Sequence, residues 1–129
     1  MNKMIQEWLN YAEYDKTAML QLNQFSYKKQ VNIICYLAQQ YAEKSLKALM
    51  LKVLPQEKLL NTHDLHFLLK KISSVLAIPD ELVEYSSVLT PYAVNARYPY
   101  GETLDEVDVR LAIKYSEAIH QFCVKEIGD

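Results

Sequence analysis

The sequence predicts an all-α protein, an up-and-down helical bundle of four main helices with an additional short helix, in a single domain over residues 1–129. Three observations lead there. Apolar residues recur at spacings of three and four along most of the chain, the period of a buried helix face. Only 2 glycines and 4 prolines interrupt 129 residues, too few for a turn-rich β architecture. Half the residues are hydrophobic and 23% are charged, a balance that lets a chain of this length close a core without disulfides or metals.

The first helix is expected from Asn2 to Gln24, with Ile5, Trp8, Leu9, Ala12, Met19 and Leu22 forming one stripe. Asp15 falls on the same stripe, and a carboxylate there is costly unless a cation or donor from another helix meets it. The second helix, Tyr27 to Leu54, carries a seam of Val31, Cys35, Ala38, Ala42, Ser45, Leu49 and Val53, close to the 3.5-residue repeat of long, nearly parallel helix packing. Small residues on that seam allow a neighbouring helix to approach closely, and Pro55 ends the element. Gln39, Gln40, Glu43, Lys44 and Lys47 lie along the same helix, and their spacing alone describes a solvated polar face with local ion pairs.

Residues 61–64, Asn-Thr-His-Asp, supply caps for a short third helix through Leu65-His-Phe-Leu-Leu. Pro79-Asp80 opens a fourth, with Leu82, Tyr85, Leu89 and Ala93 on one side and a kink or early end at Pro91. The last helix is expected to start on a capping box of Thr103 and Glu106 and to bury Leu104, Val107, Leu111, Tyr115, Ala118 and Phe122. Between the last two helices stands Ala96-Arg97-Tyr98-Pro99. Pro99 forces Tyr98 out of the α region, so the fourth helix ends there with Arg97 in or just after its last turn. A cation at that end favours the helix dipole, which gives Arg97 an architectural reading beside any ligand role.

Composition excludes several classes. A formal net charge of −2 and a pI of about 5.9 offer no broad surface for duplex nucleic acid, so a phosphate contact has to be local. Cys35 and Cys123 read as small buried thiols of a reduced compartment, although spacing alone leaves a disulfide between them open. His63 and His66 are three apart and could share a helix face, but further ligands are too sparse to expect a metal site, and no cofactor is expected. A charged N-terminus without a long apolar run points to the cytoplasm and away from the membrane. Of the ten tyrosines, Tyr41, Tyr92, Tyr98 and Tyr100 are candidates to cluster near Arg97, and Tyr98 is the one expected to work with it.

Three segments in register resemble the HEPN domain family of compact helical bundles. Residues 38–51, Ala-Gln-Gln-Tyr-Ala-Glu-Lys-Ser-Leu-Lys-Ala-Leu-Met-Leu, are similar to the family's second-helix run. Residues 63–72, beginning His-Asp-Leu-His-Phe-Leu-Leu, resemble the element that opens its third helix, and residues 96–99 resemble its Ala-Arg-Tyr-Pro joint. Trp8, Ala12 and Asp15 match the first-helix pattern. The resemblance implies a bundle that is often homodimeric and is in many members partnered by a small nucleotidyltransferase, in some as half of a toxin–antitoxin pair. One branch consists of metal-independent ribonucleases with an Arg-x4-6-His motif. Here Glu102, Thr103 and Leu104 occupy the positions open to that histidine after Arg97, so no catalytic residue is assigned.

The reading is then a non-catalytic module that binds a nucleotide or another phosphate-bearing ligand, RNA included, or a nucleotidyltransferase partner. Arg97, Tyr98, His63 and Lys44 are the expected ligand residues, supported by a polar network of Asp15 and Glu43. The alternatives are a divergent ribonuclease using Arg97 with Glu102, and a purely structural dimer in which Arg97 caps a helix.

Overall fold

The structure is a computed structural model that describes residues 2–25, 30–58, 61–95 and 103–128. Those residues form α1 (Lys3–Phe25), α2 (Val31–Val53), α3 (Leu65–Ile72), α4 (Asp80–Leu89), the four-residue α5 (Tyr92–Asn95) and α6 (Glu106–Ile127), and no strand is found among them. None of these helices is long and apolar enough to cross a membrane.

Side-chain pairings give the helix directions. Lys44 meets Asp15 while Lys47 lies over Trp8, so α1 and α2 run antiparallel. Tyr41 meets Glu117 and Ser45 meets His120, so α6 runs parallel to α2. Tyr85 stacks on Tyr115 with ring centroids 4.0 Å apart and Tyr92 reaches Asp108, which sets α4 and α5 antiparallel to α6. The directions of α1, α2, α4 and α6 alternate along the chain, the expected up-and-down bundle.

The core is built around α2, which packs most heavily on α1 and α6 and also meets α3 and α5. Its seam residues Cys35, Ala38, Ala42, Ser45 and Leu49 are buried, as the spacing predicts. So are Ile34, Tyr41, Leu46, Ala48 and Met50 on its other faces, because neighbouring elements surround it. Each large apolar side chain removed from water here contributes about 1.5–3 kcal/mol. Polar Gln39, Gln40, Glu43 and Lys47 are buried as well, which corrects the solvated face expected of them.

Helix ends follow local chemistry. Asp64 caps α3 by accepting the Phe67 amide, and the Leu65 amide donates to Thr90 Oγ1, tying the start of α3 to the end of α4. α4 ends at Leu89, with Thr90 and Pro91 separating it from α5, where proline breaks the ladder. The capping box of α6 lies two residues beyond the expected one. Asp105 accepts the Val107 and Asp108 amides, and the Asp108 carboxylate accepts the Asp105 amide. Both acids also face the positive end of the helix dipole. The buried stripe moves with it, to Val109, Ala112, Ser116, Ile119, His120, Cys123 and Ile127, while Val107 is exposed. Cys35 and Cys123 are free and buried, and burial pushes the Cys35 thiol up to about 12.

Candidate functional site

Glu43 sits in the middle of α2 with its side chain 5% exposed, and four polar side chains converge on it. Lys47 Nζ, one turn on, lies 2.9 Å from Oε2. His63 Nδ1 lies 2.7 Å from Oε1, Gln39 Nε2 donates to the same oxygen at 3.2 Å, and Gln40 Nε2 reaches it at 3.5 Å. Gln39 Nε2 also donates to the His63 carbonyl at 2.9 Å, and its own Oε1 accepts from Gln40 Nε2 at 2.7 Å. A buried carboxylate is tolerated when its lone pairs are met and a counter-charge is adjacent, and both conditions hold.

The arrangement fixes one imidazole. A carboxylate only accepts, so His63 Nδ1 carries a proton toward Glu43. That leaves Nε2 of a ring 49% exposed, with no partner among the described residues. His63 precedes α3, whose N-cap is Asp64, so it does not share a helix face with His66. The segment leading into α3 is therefore clamped on α2 through both the ring and the carbonyl of His63. Among the described residues no three His, Cys, Asp or Glu side chains group as a metal site.

The band continues toward α1. Lys47 Nζ lies 5.5 Å from the centre of the Trp8 ring, a cation–π contact that joins the Glu43 cluster to the first helix. Lys44 Nζ meets Asp15 Oδ2 at 2.6 Å, which supplies the cation that Asp15 requires on an apolar stripe. Asp15 and Lys44 are thus one pair, and Glu43 belongs to another with Lys47 and His63. Arg97, Tyr98, Tyr100 and Glu102 lie outside the described residues. Of the remaining candidate tyrosines, Tyr92 is buried at α5, and Tyr41 packs on His120 with ring centroids 4.7 Å apart.

A second constellation, unexpected from spacing, occupies the junction of α1, α2 and α6. Ser45 Oγ is 2.8 Å from His120 Nδ1, and His120 Nε2 is 3.2 Å from Glu13 Oε1. Tyr41 donates its hydroxyl to Glu117, which also meets Lys16 at 3.4 Å. Burial, aided by the Glu117 contact, keeps Tyr41 a neutral phenol by raising its pKa far above the usual value. A serine, a histidine and a glutamate in sequence suggest a nucleophile, a base and its orienting group. However, Ser45 is 0% exposed, so no substrate reaches its hydroxyl and the set is architectural.

Burial lowers the His120 pKa, opposed by Glu13 and Glu117 and assisted by Lys16. A histidine held below its unfolded value binds fewer protons in the folded state. Its stabilising contribution is full above the unfolded pKa of about 6.5 and is lost as pH falls toward the lower folded value. Thermal melts from about pH 7.5 to about pH 5 should show the midpoint decreasing, and His120→Gln should flatten that limb. A wild-type midpoint constant across this range would contradict the assignment.

A family model described as the HEPN domain matches residues 5–127. No curated protein matches. The chain is 25% identical to TT1696 from Thermus thermophilus, whose crystal structure superposes with a TM-score of 0.79 over 98% of this chain and 99% of that one. It is 21% identical to ST0689, described as an archaeal HEPN homologue, with a TM-score of 0.73 over 99% of this chain and 100% of that one. The second likeness, at lower identity, bears on the fold alone.

Proposed function

The chain belongs to the HEPN domain family, and from that premise we propose that it is a non-catalytic binding and interaction module of the cytoplasm. Its ligand is a nucleotide or another phosphate-bearing molecule, and its protein partners are a second copy of itself and a small nucleotidyltransferase. The observation that carries this reading is the Glu43–His63 pair. A buried carboxylate orients the half-exposed imidazole of His63, whose second nitrogen has no partner among the described residues. With its proton on Nδ1, the neutral ring presents Nε2 as an acceptor pre-organised for a ligand hydroxyl or amino group, and as the imidazolium it donates to a phosphate oxygen. Lys44 and Asp15 shape the α1 side of the site. From the joint before α6, Arg97 would hold phosphate through its forked donors and Tyr98 would stack on a ring.

One sequence feature and one set of contacts favour holding over cutting. No histidine stands at residues 102–104, and His120 is committed to Ser45 and Glu13 inside the bundle.

Isothermal calorimetry with a panel of ribonucleoside mono-, di- and triphosphates tests the proposal. At least one should bind wild type, and Arg97→Ala should weaken it about tenfold or more, the scale of one lost charge-assisted contact. Absence of binding across the panel, with no complex on co-expression with a nucleotidyltransferase from the adjacent reading frame, would refute it.

A further inference from the structure

We propose a second site, adjoining the first at Lys44, in which a pocket between α1 and α2 receives an arginine side chain from a segment of a partner protein. The pocket has a volume of about 280 Å³ and is lined by Met4, Glu7, Trp8, Tyr11 and Lys44. That is at the lower edge of the ~300–1,000 Å³ of ordinary small-molecule clefts and leaves room for one long side chain.

Charge around the pocket selects the class of occupant. Lys44, in the lining, is neutralised by Asp15 at 2.6 Å, and Lys47, over the Trp8 ring, by Glu43 at 2.9 Å. Glu7 is exposed and has no ion pair or hydrogen bond among the described residues, even with Lys3 one turn before it. The lining therefore keeps one carboxylate without an ion pair, beside the phenol of Tyr11 and the indole of Trp8, whose ring also meets Lys47. Aromatic faces and a free carboxylate together favour a cation and disfavour a phosphate. Guanidinium fits better than ammonium, because it stacks flat on a ring and can meet a carboxylate through two parallel N–H donors.

The surroundings favour a protein segment over a free small cation. Met4, Tyr11 and Tyr14 follow one another along the outer side of α1 and are 52%, 58% and 63% exposed. The two tyrosine rings lie 5.3 Å apart and tilted, which extends the aromatic surface past the pocket mouth. Exposed aromatics and methionine beside a cation-selective pocket match the anchor-and-surround composition of protein interfaces.

Trp8 is the only tryptophan, so its fluorescence reports occupancy directly. The full chain is titrated with a blocked seven-residue peptide, arginine centred between leucines, and with lysine and glutamate versions of it. Arginine amide is the free-cation arm, and sedimentation tests self-association. Saturable binding of the arginine peptide is expected, about fivefold weaker for lysine and absent for glutamate. Glu7→Gln and Tyr11→Ala should each weaken it about fivefold or more with unchanged thermal midpoints, because both positions are exposed. No saturation with millimolar peptide, equal binding of the glutamate peptide or full affinity in Glu7→Gln would overturn the proposal. Arginine amide binding as tightly as the peptide would overturn the protein-segment occupant. Self-association abolished by Glu7→Gln would do the same by assigning the pocket to a second copy.

Discussion

Glu43→Ala should lower stability by about 3–5 kcal/mol, which for a domain of this size is a fall of about 10–20 °C in the thermal midpoint. The magnitude follows from what the substitution leaves behind. Lys47 has a side chain only 6% exposed, and its ammonium would lose its counter-charge without regaining water. Gln39 would lose an acceptor in a fully buried position, and the ring of His63 would lose its tether to α2. Glu43→Gln keeps an oxygen for the amide and imidazole donors while removing the charge, so its cost should be about half as large. Combining Glu43→Gln with Lys47→Met should recover part of that loss, since no bare charge then stays buried. Denaturant titration of the three variants checks the order, and Glu43→Ala as stable as wild type would show that the cluster carries no net energy.

Tyr41→Ala should cost about 3–5 kcal/mol, mostly through the cavity that it opens. Tyr41 is the largest fully buried side chain among the described residues, and its ring packs on His120 while its hydroxyl donates to Glu117. Packing should outweigh the hydrogen bond. Glu117 keeps 28% of its side chain exposed and would regain water in Tyr41→Phe, which should cost only about 1 kcal/mol. If Phe were as damaging as Ala in urea unfolding, the stability of this junction would reside in the Tyr41–Glu117 bond instead.

Much of the fold is visible in the spacing of apolar residues, since α1, α2 and α4 bury or half-bury the side chains that a 3.6-residue period selects. α6 shows the limit. Two capping boxes of similar chemistry overlap at residues 103–108, and tertiary packing selects Asp105 and Asp108, rotating the buried stripe away from Val107. For the site, Asp15 on an apolar stripe requires a cation, and the structure supplies Lys44. Gln39, Glu43 and Lys47 were not recognisable as buried, because a spacing of four between polar residues also describes a surface ion-pair ladder. Only distant elements distinguish the two cases: the His63 segment 20 residues on, and Trp8 on another helix. The second constellation was not legible at all, because the Ser45 hydroxyl donates to the Tyr41 carbonyl within its own helix and His120 meets it only through the packing of α6 on α2.

The most direct test of the central claim, that Glu43 is buried in order to present His63 to a ligand, is the effect of His63→Gln on stability and affinity together. The ring is half-exposed, and Gln retains a side-chain donor for Glu43. The thermal midpoint should therefore stay within about 2 °C of wild type. Affinity for the tightest-binding nucleotide of the calorimetric panel should fall about tenfold. A destabilised variant that binds with wild-type affinity would contradict the account and leave the Glu43 cluster a purely architectural clamp.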